Sequence, residues 1–430
     1  MTTTEIDPTE VDFFTDPDVA SKAEPYFDHM LANHPVFREP KYGVVIVTGY
    51  EEALQVYHQP EVYSSINRVG GPVIDLPVEL VGDDITEILE KHREYFGASD
   101  QIVTFDPPVH TDHRAILMGL ITPKRLKENE QFLKETADRF LDELIPRGNT
   151  EFIWDYAKGY TILAVADLLG VPVEDHQMLL DLLASSPGPV LGNLELQTNN
   201  HQTGLEKMYD YFIAKIVERR EDPKDDILTG MAVATFPDGS LPEPIEVARI
   251  AANLFSAGQE TTVQLLGISV ARIADDPEVQ NLLRSEPALI PKFLEETLRI
   301  EAPIKGSFRI TKTATSLGGL DLPPGTNVML LHGAAGRDPR VFDNPEDFDV
   351  LRANARQHLA FGRGIHTCPG APLARAEAVF SIQRLLERTS SIQVSEEHHG
   401  PAGAREWDLI RSYKFRGHTK LHLTYTPAGS

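Results

Sequence analysis

Residues 361–370 read Phe-Gly-Arg-Gly-Ile-His-Thr-Cys-Pro-Gly, and Cys368 among them is the single cysteine of the 430-residue chain. One cysteine excludes internal disulfides and multi-cysteine zinc sites. In random surroundings a solitary cysteine is a small buried hydrophobe. Here the surroundings are not random. Gly362 and Gly364 allow the backbone to turn sharply with positive φ and to approach a flat partner closely. Pro369, Gly370 and Pro372 then lead into residues 373–380, which read as a helix opening behind the sulfur. The positive end of a helix dipole stabilises a thiolate placed there. An anionic sulfur on a glycine-shaped loop suits the axial position of a haem iron.

The segment fits the pattern F-x-x-G-x-H-x-C-x-G at Phe361, Gly364, His366, Cys368 and Gly370. In this the chain resembles the cytochrome P450 family, and the resemblance runs over essentially the whole sequence. It implies a mainly α fold with small β-sheets. It also implies haem b (iron protoporphyrin IX), held between a long central helix and the cysteine-ligand loop. Cys368 is the implied iron ligand, Phe361, Gly362, Gly364 and Gly370 shape the loop, and His366 is implied to bond a haem propionate.

No repeat, low-complexity linker or composition break interrupts the chain, so residues 1–430 are expected to form one domain. Within it lie a small β-rich N-terminal part at about 36–60, a helical body at about 105–300 and the ligand loop at 361–370. Against 40 lysines and arginines stand 65 acids, a formal charge of −25. That balance argues against nucleic acid or an anionic membrane as partner. The first twenty residues are polar and acidic, with neither a signal-peptide pattern nor an apolar anchor. The expected setting is the cytoplasm, without a membrane anchor and as a monomer.

Five further patterns bear on chemistry. Phe105-Asp-Pro-Pro-Val-His110 starts a helix with His110 and Arg114 four apart on one face. By resemblance the two meet the haem propionates, while His113 turns away. A second helix, bounded by Pro244 and Pro277, is apolar nearly all round, marking it as buried. Yet it contains Ala257-Gly258-Gln259-Glu260-Thr261, and a core helix does not keep a glycine and an acid for stability. The resemblance implies a bulge at Ala257 and Gly258 that makes an oxygen groove. Glu260 and Thr261 would then be the acid–alcohol pair delivering protons. The competing reading has Thr261 bonding the carbonyl one turn back. Glu296 and Arg299 have the spacing of the family's Glu-x-x-Arg, to which Arg352 adds a structural network; Arg309 fits a propionate-binding arginine. Lys305 either faces the substrate pocket, hinting at an anionic or carbonyl-bearing substrate, or carries its ammonium out to water.

The resemblance implies insertion of one oxygen atom from O2 into a small, mostly apolar molecule such as a terpenoid, steroid, fatty acid or aromatic. Candidate substrate contacts are Asn253, Ser256, Lys305, residues 60–104, a lid at 185–203 and the turn at Leu409. Electrons are expected from an acidic ferredoxin with its NAD(P)H-dependent reductase. Between Leu351 and Leu385 five arginines (Arg352, Arg356, Arg363, Arg375, Arg384) stand against one acid, Glu377, a positive segment suited to such a carrier. Pro369 departs from the usual pattern, since it has no N–H to offer the sulfur. Two other activities compete: a peroxygenase driven by hydrogen peroxide, and a haem-thiolate binding or sensing protein without turnover. The acid–alcohol pair argues against both.

Overall fold

The computed structural model describes residues 11–184 and 202–429. The expected lid at 185–203 thus lies almost wholly outside the described residues. In chain order the strands are Val36–Arg38 (β1), Val45–Val47 (β2), Tyr63–Ser64 (β3), Asn149–Glu151 (β4), Gly306–Thr311 (β5), Thr315–Leu317 (β6), Leu320–Leu322 (β7), Asn327–Leu331 (β8), Thr389–Val394 (β9) and His422–Pro427 (β10). The largest sheet has the order β1-β2-β8-β5-β3, so the N-terminal strands join strands from the far end of the chain. β2 lies parallel to β8, with Ile46 opposite Met329, and the other pairs are antiparallel. Every residue of β5 is buried, Arg309 included. Two smaller sheets have the orders β4-β10-β9 and β6-β7.

Residues 322–331 do not form a hairpin; β7 pairs with β6, and β8 goes to β2 and β5. The turn before β8 is tied instead to β5, where the Thr311 hydroxyl accepts the Thr326 N–H. Residues 409–421 are largely irregular, with isolated bridges at Leu409–His418 and Ile304–Phe415. Their backbone is satisfied by a neighbouring segment, through Lys305 N–H to the Lys414 carbonyl and Arg416 N–H to the Pro303 carbonyl.

The helical body is built on the central helix Pro244–Asp275, 32 residues long. Proline at its first turn and a Glu246 carboxylate accepting the Glu243 N–H start it. Asp276 and Pro277 stop it, the Asp276 side chain capping the helix that follows. Its first half (Val247, Ile250, Phe255) packs with Ile162, Phe212 and Leu228. Its second half (Val263, Leu266, Val270) packs with Tyr156, Phe293 and Ile382. Between these two cores burial lapses: Ser256 and Ala257 are exposed, and residues 258–261 are half-buried. On a helix otherwise enclosed by protein, that gap marks where something else belongs.

Candidate functional site

The loop at 361–368 is shaped by local chemistry. Gly364 has φ +68°, and a Cβ there would stand 2.4 Å from the Tyr57 carbonyl oxygen, so only glycine fits. Gly362 likewise has φ +66°. The Cys368 N–H closes the loop on the Phe361 carbonyl at 2.8 Å. Helix Ala371–Arg388 begins three residues beyond the sulfur. Burial raises the Cys368 thiol, while the N–H groups of Gly370 and Ala371 and the cations Arg68 and Arg114 act to lower it. The half-buried sulfur therefore sits among donors that favour its anion.

Beside it the fold gathers basic side chains. His110 and His366 lie with ring centroids 4.0 Å apart, both buried. Arg114 reaches the Thr367 carbonyl at 2.7 Å, and Arg68 reaches the His366 carbonyl at 3.4 Å. Arg309 is 3% exposed and donates to the Phe308 carbonyl. Arg68, Arg114 and Arg309 form no ion pair among the described residues. The one acid felt by Arg309, Asp106, is engaged by the Ser65 N–H and Lys312. Burial lowers all three guanidiniums, Arg309 to about 10. Burial, then the charges of Arg114 and Arg68, lowers His110 to about 4. His366 is driven far below its ordinary value by burial and by Arg68, and its Nε2 is buried without a partner. Unpaired buried cations are costly. A group carrying two carboxylates would repay that cost, as the propionates of haem do. These donors, the sulfur and the uncovered stretch of the central helix fit that group.

Arg68 was not legible in the sequence. It follows Ser64-Ser65-Ile66-Asn67 and precedes Gly70-Gly71, and an arginine beside a glycine pair was the sole available signal. His113, by contrast, packs against Phe105 and Phe236, away from His110.

On the central helix no bulge is present; residues 244–275 are helical without a break. Gly258 instead allows a close helix crossing, since a Cβ there would stand 3.2 Å from Val165. The Thr261 hydroxyl donates to the Ala257 carbonyl at 2.9 Å, as the competing reading had it. It keeps its acceptor lone pairs. Glu260 accepts the Gln264 amide at 2.8 Å, and Lys158 lies within electrostatic reach. Asn253, one turn upstream of Ala257, is 6% exposed and its Nδ2 has no partner.

Lys305 satisfies neither expectation. It is 2% exposed, and its ammonium donates to the Ala20 and Ser412 carbonyls. Backbone oxygens thus hold it away from water, and burial lowers it to about 7. With Leu409 and Ile410 it borders a cavity of about 10 Å³, room for one water. Glu296 is fully buried between Arg299 (2.7 Å) and Arg352 (3.0 Å), with the Asp349 N–H as a further donor. The positive segment is smaller than its sequence suggests. Arg352 is in that network, Arg375 pairs with Glu295, and Arg384 pairs with Asp138 and Glu387. Arg356 and Arg363 form no ion pair among the described residues.

Comparison with known proteins agrees with this architecture. The family model described as Cytochrome P450 matches residues 175–399. Putative cytochrome P450 126 of Mycobacterium tuberculosis is 31% identical over 407 residues, covering 91% of this chain and 92% of that protein. The biotin biosynthesis cytochrome P450 of Bacillus subtilis is 29% identical, covering 93% and 95%. Among solved structures, substrate-free CYP150A6 of Mycobacterium marinum is 45% identical with a TM-score of 0.92, covering 98% of this chain and all of that one. CYP109E1 of Bacillus megaterium in complex with corticosterone is 26% identical with a TM-score of 0.80, covering 95% and 99%. No helix among the described residues is long and apolar enough to cross a membrane. With a cysteine loop, a cation cluster and a central helix arranged in this way, the chain belongs to the cytochrome P450 family of monooxygenases.

Proposed function

We propose that the protein holds haem b through the Cys368 thiolate and inserts one oxygen atom from O2 into a mostly apolar substrate bearing a hydrogen-bonding oxygen. The observation that carries this reading is the trio Arg68, Arg114 and Arg309, buried or half-buried beside the cysteine loop and without a carboxylate partner among the described residues. When bound, haem supplies the redox chemistry of dioxygen activation. The chain supplies the rest. His110, His366 and the three arginines orient the propionates, and Gly370 and Ala371 N–H groups steady the sulfur. Glu260, held by Gln264, passes protons within the half-buried stretch that also holds Thr261. Asn253 offers a desolvated amide about two turns upstream of Glu260, suited to a carbonyl or hydroxyl.

The test is an optical titration of the ferric protein with steroids, terpenoids, fatty acids and aromatic acids. CYP109E1 has been seen with corticosterone and with testosterone, which puts ketosteroids first in the panel. A saturable low- to high-spin shift that weakens in Asn253→Leu supports the reading. A protein that forms no thiolate-type reduced-carbonyl band ends it. Glu260→Gln and Thr261→Ala should retain the spin shift but divert reducing equivalents to hydrogen peroxide. Unchanged coupling would remove these residues from proton delivery.

Electrons are proposed to come from an acidic ferredoxin docking beside the ligand loop. Support comes from Arg356 and Arg363 and from exposed Ile365 on the loop itself. Rising ionic strength and Arg363→Glu should both slow reduction; indifference to both would exclude this docking mode.

A further inference from the structure

Helix Ile290–Ile300 carries two adjacent acids, Glu295 and Glu296. Neighbours on a helix point about 100° apart, so the two serve different surroundings. Glu296 holds the meander through Arg299 and Arg352, as described above. Glu295 faces the ligand loop. Its Oε1 accepts Arg375 Nε at 2.6 Å, and its Oε2 accepts Arg375 Nη2 and His358 Nε2, both at 3.0 Å. His358 is 1% exposed, and its other ring nitrogen accepts the Ala360 N–H at 3.1 Å. Those two bonds define the tautomer, with the proton on Nε2 and directed at the carboxylate. Burial would raise the Glu295 carboxyl, but His358 and Arg375 hold it down to about 2.

Both partners then close on one ring. The Arg375 guanidinium lies 4.6 Å from the Phe361 ring centroid, and the His358 ring lies 5.8 Å from it. The Phe361 carbonyl is the acceptor for the Cys368 N–H. A continuous set of contacts therefore runs from Glu295, through His358 and Arg375, to Phe361 and the backbone of the sulfur ligand. Arg375 belongs to the helix after the ligand and His358 to the segment before it, so one carboxylate clamps both ends of the loop.

We propose that Glu295, His358 and Arg375 are positioning residues that set the Cys368 sulfur for iron ligation, a task separate from that of the Glu296 network. The inference rests on the haem-thiolate reading above. Groups behind a metal ligand govern both its hold and its electronic character, and here they act through the Phe361 ring that both approach. The planar fork of Arg375 is essential to this, because lysine cannot both grip two oxygens and lie over a ring.

The experiment uses the haem-loaded full chain and the variants Glu295→Gln, Glu295→Asp, Arg375→Lys and Arg375→Leu. It reads the reduced-carbonyl spectrum, the ferric/ferrous potential, the rate of haem loss to apomyoglobin and the melting temperature. Glu295→Gln and Arg375→Leu should lose haem roughly tenfold faster, move absorbance from the thiolate to the thiol band and shift the potential. Glu295→Asp should recover part of each. If Glu295→Gln does not fold, Arg375→Lys carries the test, since it keeps the charge and loses the fork and the stack. Lower melting temperatures with wild-type spectrum, potential and haem-loss rate would overturn the proposal. A wild-type protein lacking the thiolate band would instead overturn the haem-thiolate reading itself.

Discussion

Single residues decide the electronic character of the site. The Cys368 sulfur has the N–H groups of Gly370 and Ala371 near it and none from Pro369. A thiolate with one donor fewer gives more charge to the metal it binds. Pro369→Leu should therefore raise the ferric/ferrous potential of the loaded protein, and a potential that stays or falls would refute this account. Arg68 makes a second, opposite-signed prediction. Its guanidinium is lowered by burial and has no ion pair among the described residues, so without haem it is a cost to the fold. Arg68→Leu should raise the melting temperature of the haem-free protein and lower that of the loaded one. A change of the same sign in both states would show that Arg68 does not serve the propionates.

At the scale of elements, the C-terminal turn and the central helix meet at one contact. Gly417 has φ +146°, and a Cβ there would stand 1.9 Å from Gln264 Oε1. Gln264 in turn holds Glu260 by its amide. Gly417→Ala is expected to cost about 1–3 kcal/mol in urea denaturation and to displace Glu260, increasing peroxide release. Normal coupling in a destabilised Gly417→Ala protein would mean that the turn does not position the acid. The Glu296 network ties another pair of elements. Arg299 donates to the Gly336, Pro345 and Asp347 carbonyls besides Glu296, and Arg352 to the Asp343, Asn344 and Asp347 carbonyls, so two arginines on one buried carboxylate hold the meander. Breaking a fully buried pair of this kind costs about 3–5 kcal/mol. The helices themselves were largely legible: Pro123, Pro244 and Pro277 each open one where proline is expected. The bulge expected at Gly258 was not, because the glycine serves a helix crossing that sequence spacing does not display.

For the whole molecule, ion pairs between remote segments link stability to pH. Burial would raise the Glu301 carboxyl, but Arg416 and Arg272 outweigh it and hold it near about 2, against an ordinary value of 4.5. A depressed carboxyl contributes stability that is complete above its unfolded value and is lost as pH falls from there through the folded one. The contribution is on the order of 3 kcal/mol. Glu301→Gln should therefore lower the urea midpoint at neutral pH and flatten its fall towards pH ~3; an unaltered acid slope would refute the assignment. Arg416 also bonds Glu24, so the same pairs fasten the N-terminal segment to the C-terminal turn. What the sequence determined by itself was local: the cysteine loop with its glycines, the proline-bounded helices, and the spacing of His110 with Arg114 and of Glu296 with Arg299. Turn conformation and helical period relate residues a few positions apart, so those features can be read from a string of letters. The tertiary structure alone decided which distant side chains meet. It brought Arg68 to Arg309, gave Lys305 to the Ala20 and Ser412 carbonyls, neutralised Arg352, Arg375 and Arg384, and turned Glu295 to the ligand loop. Charge and burial are settled by partners from other segments, and no local period encodes a partner.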